Sequence, residues 1–166
     1  MCSGPASRQT LAMPLIIEAP AFASGQKIPD QFSRDSANIS PRLEWHGAPL
    51  DTRSFALVLE DPDAPRGTFR HWAAYDIPQD AEWLDEGVGS GTRGAAIRMA
   101  KNDWGDAKYD GPQPPKGHGT HRYHFRLFAL DVPRLGLPDD ATAEQVLEAA
   151  QEHSIAEADV VGTFER

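Results

Sequence analysis

A run of alternating apolar residues that ends at two prolines constrains the fold of this chain most strongly. In residues 54–60, the large side chains of Phe55, Leu57 and Leu59 occupy every second position, which is the period of a β-strand with one face on a core. Two prolines follow within residues 61–65, and a proline cannot donate a hydrogen bond to a neighbouring strand. The pattern therefore predicts a strand that stops at the start of this segment.

Two further segments have strand-like alternation. The first covers His71–Ile77 and ends at a proline, and the second covers His121–Leu130. Strict alternation in the first segment places His71 on the same face as Tyr75 and Ile77. In the second segment, it places the odd-numbered residues on one mainly apolar face.

Shorter elements complete the predicted fold. Apolar segments at Leu15–Ile17, Arg42–Trp45 and Val160–Phe164 predict short strands. The tetrapeptide 142–145, Thr-Ala-Glu-Gln, has the form of a capping box and predicts a helix over Ala143–His153. Several strands, one late helix and long connections with short helices or turns favour a mainly β fold, a sandwich of two sheets.

Length and charge limit the possible domains and partners. The 166 residues fit a single domain over residues 14–166, preceded by a loose extension over residues 1–13. The formal net charge of −9 disfavours nucleic acid and anionic membranes as partners. No segment approaches the roughly 20 apolar residues of a membrane-spanning helix. The single cysteine, Cys2, and the absence of a secretion signal favour a cytoplasmic protein without internal disulfides.

Polar residues occur where the apolar stripes reach the ends of the predicted strands. Asp61 closes the first strand, His71 opens the second, and His121 and Tyr123 begin the third. Antiparallel pairing would bring these ends together and form a small pocket. Each residue alone also fits a structural role, because Asp-Pro favours turns and a histidine or tyrosine often satisfies a core hydrogen bond.

The same segments carry a resemblance to a known family. Residues 61–65 (Asp-Pro-Asp-Ala-Pro), 71–72 (His-Trp), 111–117 (Gly-Pro-Gln-Pro-Pro-Lys-Gly) and 121–123 (His-Arg-Tyr) follow one another in the order and spacing of two signature blocks. These blocks resemble those of the phosphatidylethanolamine-binding proteins, in particular the bacterial branch, and the similarity extends over residues 15–166. The resemblance implies one large and one small antiparallel sheet with a C-terminal helix.

The resemblance also implies a pocket for phosphate or a phosphoryl head group in a binding protein that is not an enzyme. The pocket residues that it transfers to this chain are Asp61, His71, Pro114, Pro115, His121 and Tyr123, with Trp72 and Gly111 at the rim of the pocket. In this hypothesis, histidine N–H groups, the tyrosine hydroxyl and loop N–H groups hold the anion. Asp61 would orient one of the histidines, and neither a cofactor nor a metal is expected.

Two alternative functions and the oligomeric state remain open at this stage, and the protein could form a homodimer. One alternative function is that of a regulatory adaptor, or of an inhibitor of a kinase or protease, that recognises a phosphorylated partner. Another is a hydrolase or zinc site built from His118, His121 and His124, but a strand would point the last two to opposite faces. Trp83 and Trp104 lie in loop-like segments, where core filling is favoured over an interface.

Overall fold

The computed structural model describes residues 14–90 and 97–166, so the predicted extension over residues 1–13 lies outside the described residues. The strands are β1 (Ile16–Glu18), β2 (Leu43–His46), β3 (Ser54–Asp61), β4 (Phe69–Pro78), β5 (Trp83–Leu84), β6 (Arg98–Met99), β7 (His121–Leu130) and β8 (Ser154–Phe164). The α-helix α1 spans Ala143–His153, and two short 3-10 helices span Asp30–Phe32 and Val88–Ser90.

The strands form one large and one small antiparallel sheet. The large sheet has the order β6-β4-β3-β7-β8, and the small sheet has the order β1-β2-β5. The predicted mainly β fold with two antiparallel sheets is therefore confirmed. The last strand was predicted too short, since β8 pairs with β7 from Ser154 onwards. The half-buried face of its first part carries only Ala156 and Ala158, which give a weak hydrophobic signal.

The central strand β3 is buried along its whole length, because both of its faces are covered. Phe55, Leu57 and Leu59 pack between the two sheets, whereas Ala56 and Val58 pack beneath α1. The helix thus adds a third layer on the outer side of the large sheet.

The predicted helix α1 is confirmed together with its capping box. The Thr142 hydroxyl accepts a hydrogen bond from the Gln145 backbone N–H at 3.2 Å. The Gln145 side chain in turn accepts one from the Thr142 N–H at 2.9 Å. Within residues 14–90 and 97–166, no helix combines the length and the apolar composition that a membrane crossing requires.

A bulge at the start of β4 sets the position of His71. Leu59 of β3 pairs with Trp72, while the next residue, Glu60, pairs with Arg70. His71 is therefore an extra residue between two regular pairs. Such a residue is free to direct its side chain away from the normal alternation.

A second irregularity in β4 lies near Asp76, which has a φ of 55°. Beyond it, Ile77 packs between the sheets, whereas Tyr75 packs beneath α1. The prediction that His71, Tyr75 and Ile77 share one face is therefore wrong. Each bulge inserts a residue and shifts the alternation, and the residue pattern gives no sign of it.

Candidate ligand-binding site

A cavity of about 250 Å³ lies at the end of the large sheet where β3 stops and where β4 and β7 begin. It is lined by Asp61, Ala64, Pro65, Phe69, His71, Trp104, Gln113, Pro114, Pro115, His121 and Tyr123. Its volume is below that of pockets for drug-sized molecules, so it is suited to a small ligand or to one end of a larger one.

The antiparallel register of β3 and β7 brings Asp61 to His121. Glu60 pairs with His124, so the end of β3 meets the beginning of β7. The Asp61 carboxylate accepts a hydrogen bond from His121 Nδ1 at 2.6 Å, and the two side chains are only 4% and 2% exposed. The other carboxylate oxygen accepts one from the Asp63 backbone N–H at 2.8 Å. Asp61 therefore closes the turn after β3 and also orients His121.

His121 is also engaged through its second ring nitrogen. Nδ1 of His118 lies 2.6 Å from Nε2 of His121, so one of these nitrogens donates to the other. His118 itself is exposed, whereas His121 is buried. Asp61, His121 and His118 thus form a hydrogen-bonded chain that runs from the pocket to the surface.

His71 is held by backbone carbonyls rather than by a carboxylate. Its Nδ1 lies 2.9 Å from the Asp110 carbonyl oxygen and 3.1 Å from that of Gly111. Carbonyls only accept, so Nδ1 carries the hydrogen. Burial lowers the pKa of His71, although these carbonyls and Asp61 partly oppose the shift. At neutral pH the ring is therefore uncharged, and Nε2 is left as a hydrogen-bond acceptor on the cavity wall.

The Asp110 side chain fixes the loop that supplies these carbonyls. Its buried carboxylate accepts hydrogen bonds from Asn38 at 2.9 Å, Asn102 at 2.8 Å and Lys108 at 2.7 Å. Burial acts to raise the pKa of Asp110, but the hydrogen bonds from these three side chains outweigh it and lower the pKa. Asp110 thus remains ionised and positions the loop against His71.

The Tyr123 hydroxyl is buried and makes no hydrogen bond of normal geometry to any described residue. Its ring packs edge-on against His71, with centroids 5.3 Å apart. Burial raises the pKa of Tyr123 well above its ordinary value, and the charge of the nearby Asp61 carboxylate and its weak hydrogen-bonding contact with the hydroxyl raise it further. The group is therefore a protonated donor, and a buried donor without a partner costs about 1–3 kcal/mol.

Two aromatic side chains, Phe69 and Trp104, form another part of the cavity lining, next to His71. Trp104 packs edge-on against Phe69 at 4.6 Å and against His71 at 5.0 Å between ring centroids. The Arg34 guanidinium lies 4.2 Å from the centroid of the Trp104 ring. The prediction that Trp104 fills the core is wrong, since it is half-buried and lines the cavity. Trp83, given the same prediction, is 49% exposed in β5.

Two predicted rim residues, Trp72 and Gly111, do not line the cavity. Trp72 is buried between the sheets, and its indole N–H donates to the sulfur of Met99 at 3.2 Å. A Cβ on Gly111 would lie 1.9 Å from the Phe32 carbonyl oxygen, so glycine is required there by packing. The Gly111 N–H donates to Asn38 and is not directed to a ligand. Gly111 contributes to the site only through its carbonyl, which holds His71.

The other six predicted residues line this single cavity, together with five that the sequence interpretation missed. The missed residues are Ala64, Pro65, Phe69, Trp104 and Gln113. Three of them lie inside the quoted signature blocks, and Phe69 lies two residues before His71, so extending the blocks would have found four. Trp104 comes from a separate loop, and no local pattern indicated it.

His124 lies on the opposite face of β7 from His121. Its Nδ1 lies 3.0 Å from a carboxylate oxygen of Asp159 on β8. The alternation that argued against a three-histidine zinc site is thus observed. Among residues 14–90 and 97–166, no three histidine, cysteine or acidic side chains are grouped to hold a metal ion.

A β-sandwich with a small cavity at one end of its large sheet, lined by apolar residues and a few polar groups, has the form of a ligand-binding protein. The model of the phosphatidylethanolamine-binding protein family matches residues 18–165. The chain belongs to this family, and membership supports a binding protein of this fold.

Individual relatives agree with this assignment. The solved structure of Escherichia coli YbcL, described as a new member of the mammalian PEBP family, has a TM-score of 0.88 and 27% sequence identity. The alignment covers 93% of this chain and 99% of that one. A UPF0098 protein of Aquifex aeolicus is 41% identical over 146 residues, which are 88% of this chain and 85% of that protein.

A third relative bears on the predicted location. LppC of Mycobacterium tuberculosis, which is named as a lipoprotein, is 41% identical over 155 residues, or 93% of this chain and 74% of that protein. Relatives of this chain therefore include one named for a lipid anchor, and the cytoplasmic location stays a prediction.

Proposed function

We propose that this protein binds small phosphate-bearing ligands in the cavity between β3, β4 and β7, without chemically transforming them. The observation that carries the proposal is the buried Tyr123 hydroxyl, which makes no hydrogen bond of normal geometry to any described residue and belongs to a residue that lines the same cavity as His71. The hydroxyl is an obligatory donor and Nε2 of His71 is an acceptor, so the ligand must offer both an acceptor and a donor.

A phosphate monoester that carries one proton meets this requirement. An anionic oxygen would accept from Tyr123, and the P–OH group would donate to Nε2 of His71. Phosphate monoesters hold this proton below their second pKa of about 6. Sulfate has no such proton near neutral pH, so it would need His71 to take up a proton against the effect of burial.

The residues around the cavity favour binding over catalysis. The Asp61 carboxylate is already bound by His121 and by the Asp63 N–H, which reduces its repulsion of an anion. In the described part of the chain, the cavity wall contains no serine, threonine, cysteine or lysine that His71 would activate as a nucleophile. The aromatic wall of Phe69 and Trp104 would contact the organic part of the ligand.

Calorimetric titration at about pH 6 tests the proposal, because about half of a phosphate monoester carries its proton there. Methyl phosphate is expected to bind with a Kd in the millimolar to micromolar range, since few atoms contribute, and sulfate is expected to bind more weakly. Tyr123→Phe and His71→Asn should each weaken methyl phosphate binding by about tenfold or more, because each removes a hydrogen bond to a charged group.

His124→Ala is the matched control, since this histidine lies on the outer face of β7 and should not affect binding. Equal affinity in the wild type, Tyr123→Phe and His71→Asn would reject the site. Equal binding of sulfate and methyl phosphate would reject the proposed role of the ligand proton. Hydrolysis of a phosphate ester that depends on His71 would reject the non-catalytic part of the proposal.

A further inference from the structure

His118 lies in a short open segment between the proline loop and β7. Its neighbours Gly117 and Gly119 have φ values of 76° and 94°, which are favourable for glycine. A Cβ added to either glycine would meet no atom within 4 Å, so the surroundings are open. The His118 backbone N–H donates to the Pro115 carbonyl at 3.1 Å, which fixes the turn below the side chain. The imidazole can therefore rotate outward while the turn stays closed.

The contact made by this imidazole competes with the proposed ligand. His121 lines the cavity, and its Nδ1 is fixed by the buried Asp61 carboxylate. Its remaining nitrogen, Nε2, is engaged by His118 at 2.6 Å. An anion can therefore use His121 only after His118 has left, whereas His71 and Tyr123 are available without any rearrangement.

We propose that His118 is a latch on the phosphate pocket, which caps Nε2 of His121 and releases this nitrogen, as an N–H donor, to an anionic oxygen of the arriving phosphate group, whose single P–OH group is already used by His71. The latch rests on the proposed function, because it needs a ligand that competes for His121. It makes ligand affinity depend on an exposed residue outside the cavity wall. Removal of the His118 ring leaves Nε2 open in advance, so the ligand no longer has to break a hydrogen bond.

Titration of methyl phosphate into His118→Ala and His118→Asn tests the latch. His118→Ala is expected to bind about three- to tenfold more tightly than the wild type, which corresponds to the loss of one ordinary hydrogen bond. His118→Asn keeps a donor and an acceptor near the position of Nδ1, so its affinity should stay close to that of the wild type. His118 is exposed, so both variants should fold normally.

¹⁵N NMR of the histidine rings gives an independent measurement on the wild type. Saturation with methyl phosphate should move the His118 ring signals toward those of a solvated histidine, while the His121 Nδ1 signal keeps its hydrogen bond to Asp61. Unchanged His118 signals with normal binding would overturn the latch and leave the proposed function intact. Weaker binding by His118→Ala would also overturn it, since His118 would then contact the ligand directly. Lack of binding by the wild type and by His118→Ala would overturn both the latch and the proposed function.

Discussion

The two faces of β7 carry polar residues in opposite environments. On the inner face, His121 is 1% exposed and Tyr123 is fully buried. On the outer face, Arg122 and His124 pair with Asp63 and with a carboxylate on β8, in contact with solvent. Residues next to each other along one strand thus have very different electrostatic surroundings.

This contrast separates residues that define a site from residues that only solvate a surface. Exposed ion pairs contribute little to stability because water and salt screen them, typically less than about 1 kcal/mol. Buried polar groups are costly unless each has a partner. Substitutions of His121 and Tyr123 should therefore change stability, binding or both, whereas those of Arg122 and His124 should change neither by much.

The largest expected difference is between His121→Ala and His124→Ala. The first removes the partner of the Asp61 carboxylate, which is 4% exposed, and leaves it buried without a cation or donor from the ring. Breaking a buried pair in this way costs about 3–5 kcal/mol, whereas His124→Ala should change the free energy of unfolding by less than about 0.5 kcal/mol. Urea denaturation at neutral pH measures both. Equal losses of unfolding free energy in the two variants would mean that the two faces of β7 do not differ in the way that burial predicts.

A smaller difference is expected between two buried tyrosines. The Tyr109 hydroxyl donates to the Phe32 carbonyl at 2.7 Å, whereas the Tyr123 hydroxyl has no partner among the described residues. Tyr109→Phe should cost about 1–3 kcal/mol, because it leaves a buried carbonyl unpaired. Tyr123→Phe should be neutral or stabilising by up to about 1 kcal/mol, while it weakens phosphate binding. Measurable destabilisation by Tyr123→Phe would show that this hydroxyl serves the fold.

Substitution of His71 is expected to change the pH dependence of the free energy of unfolding. This effect is the smallest of the three at neutral pH and is measurable only at acidic pH. Burial lowers the pKa of His71 in the folded protein below the ordinary value of 6.5. The unfolded chain therefore takes up this proton first, so the free energy of unfolding falls as the pH drops below about 6.5. The loss continues until His71 in the folded protein is itself protonated.

His71→Asn isolates this contribution, because the asparagine amide can still donate to the Asp110 carbonyl but does not titrate. Urea midpoints measured in phosphate-free buffers between neutral and mildly acidic pH should fall less steeply for this variant than for the wild type. Parallel curves for the two proteins would show that His71 does not titrate differently in the folded and unfolded states.

Much of the fold was predictable because its signals are local. Phe55, Leu57 and Leu59 alternate over β3, and Thr142 with Gln145 defines the start of α1. The bulge at His71 was not predictable, because it depends on how β4 pairs with β3 rather than on residue type. The position of His71 at the start of its strand nevertheless placed it at the correct end of the sheet, since a one-residue shift moves a side chain to another face but not to another end.

The candidate site was predictable where its residues lie in one block or at a strand end, as for Asp61 and His121. Trp104 could not be assigned to it, because the loop that carries Trp104 reaches the cavity only through tertiary packing against Phe69 and Arg34. The family resemblance placed Trp72 at the rim, but Trp72 pairs with Leu59 next to the bulge and packs in the core. Neighbours in sequence are thus separated here, and distant residues are brought together.

The central claim is that a phosphate group binds between Nε2 of His71 and the Tyr123 hydroxyl. ¹⁵N NMR of histidine-labelled protein during a methyl phosphate titration at about pH 6 tests it most directly, because about half of the ligand carries its proton there. The account predicts that the Nε2 signal of His71 shifts from that of an unbonded acceptor to that of a hydrogen-bonded nitrogen, with a smaller shift in Tyr123→Phe at the same sub-saturating ligand concentration. A His71 Nε2 signal that stays unchanged at millimolar methyl phosphate would contradict the account.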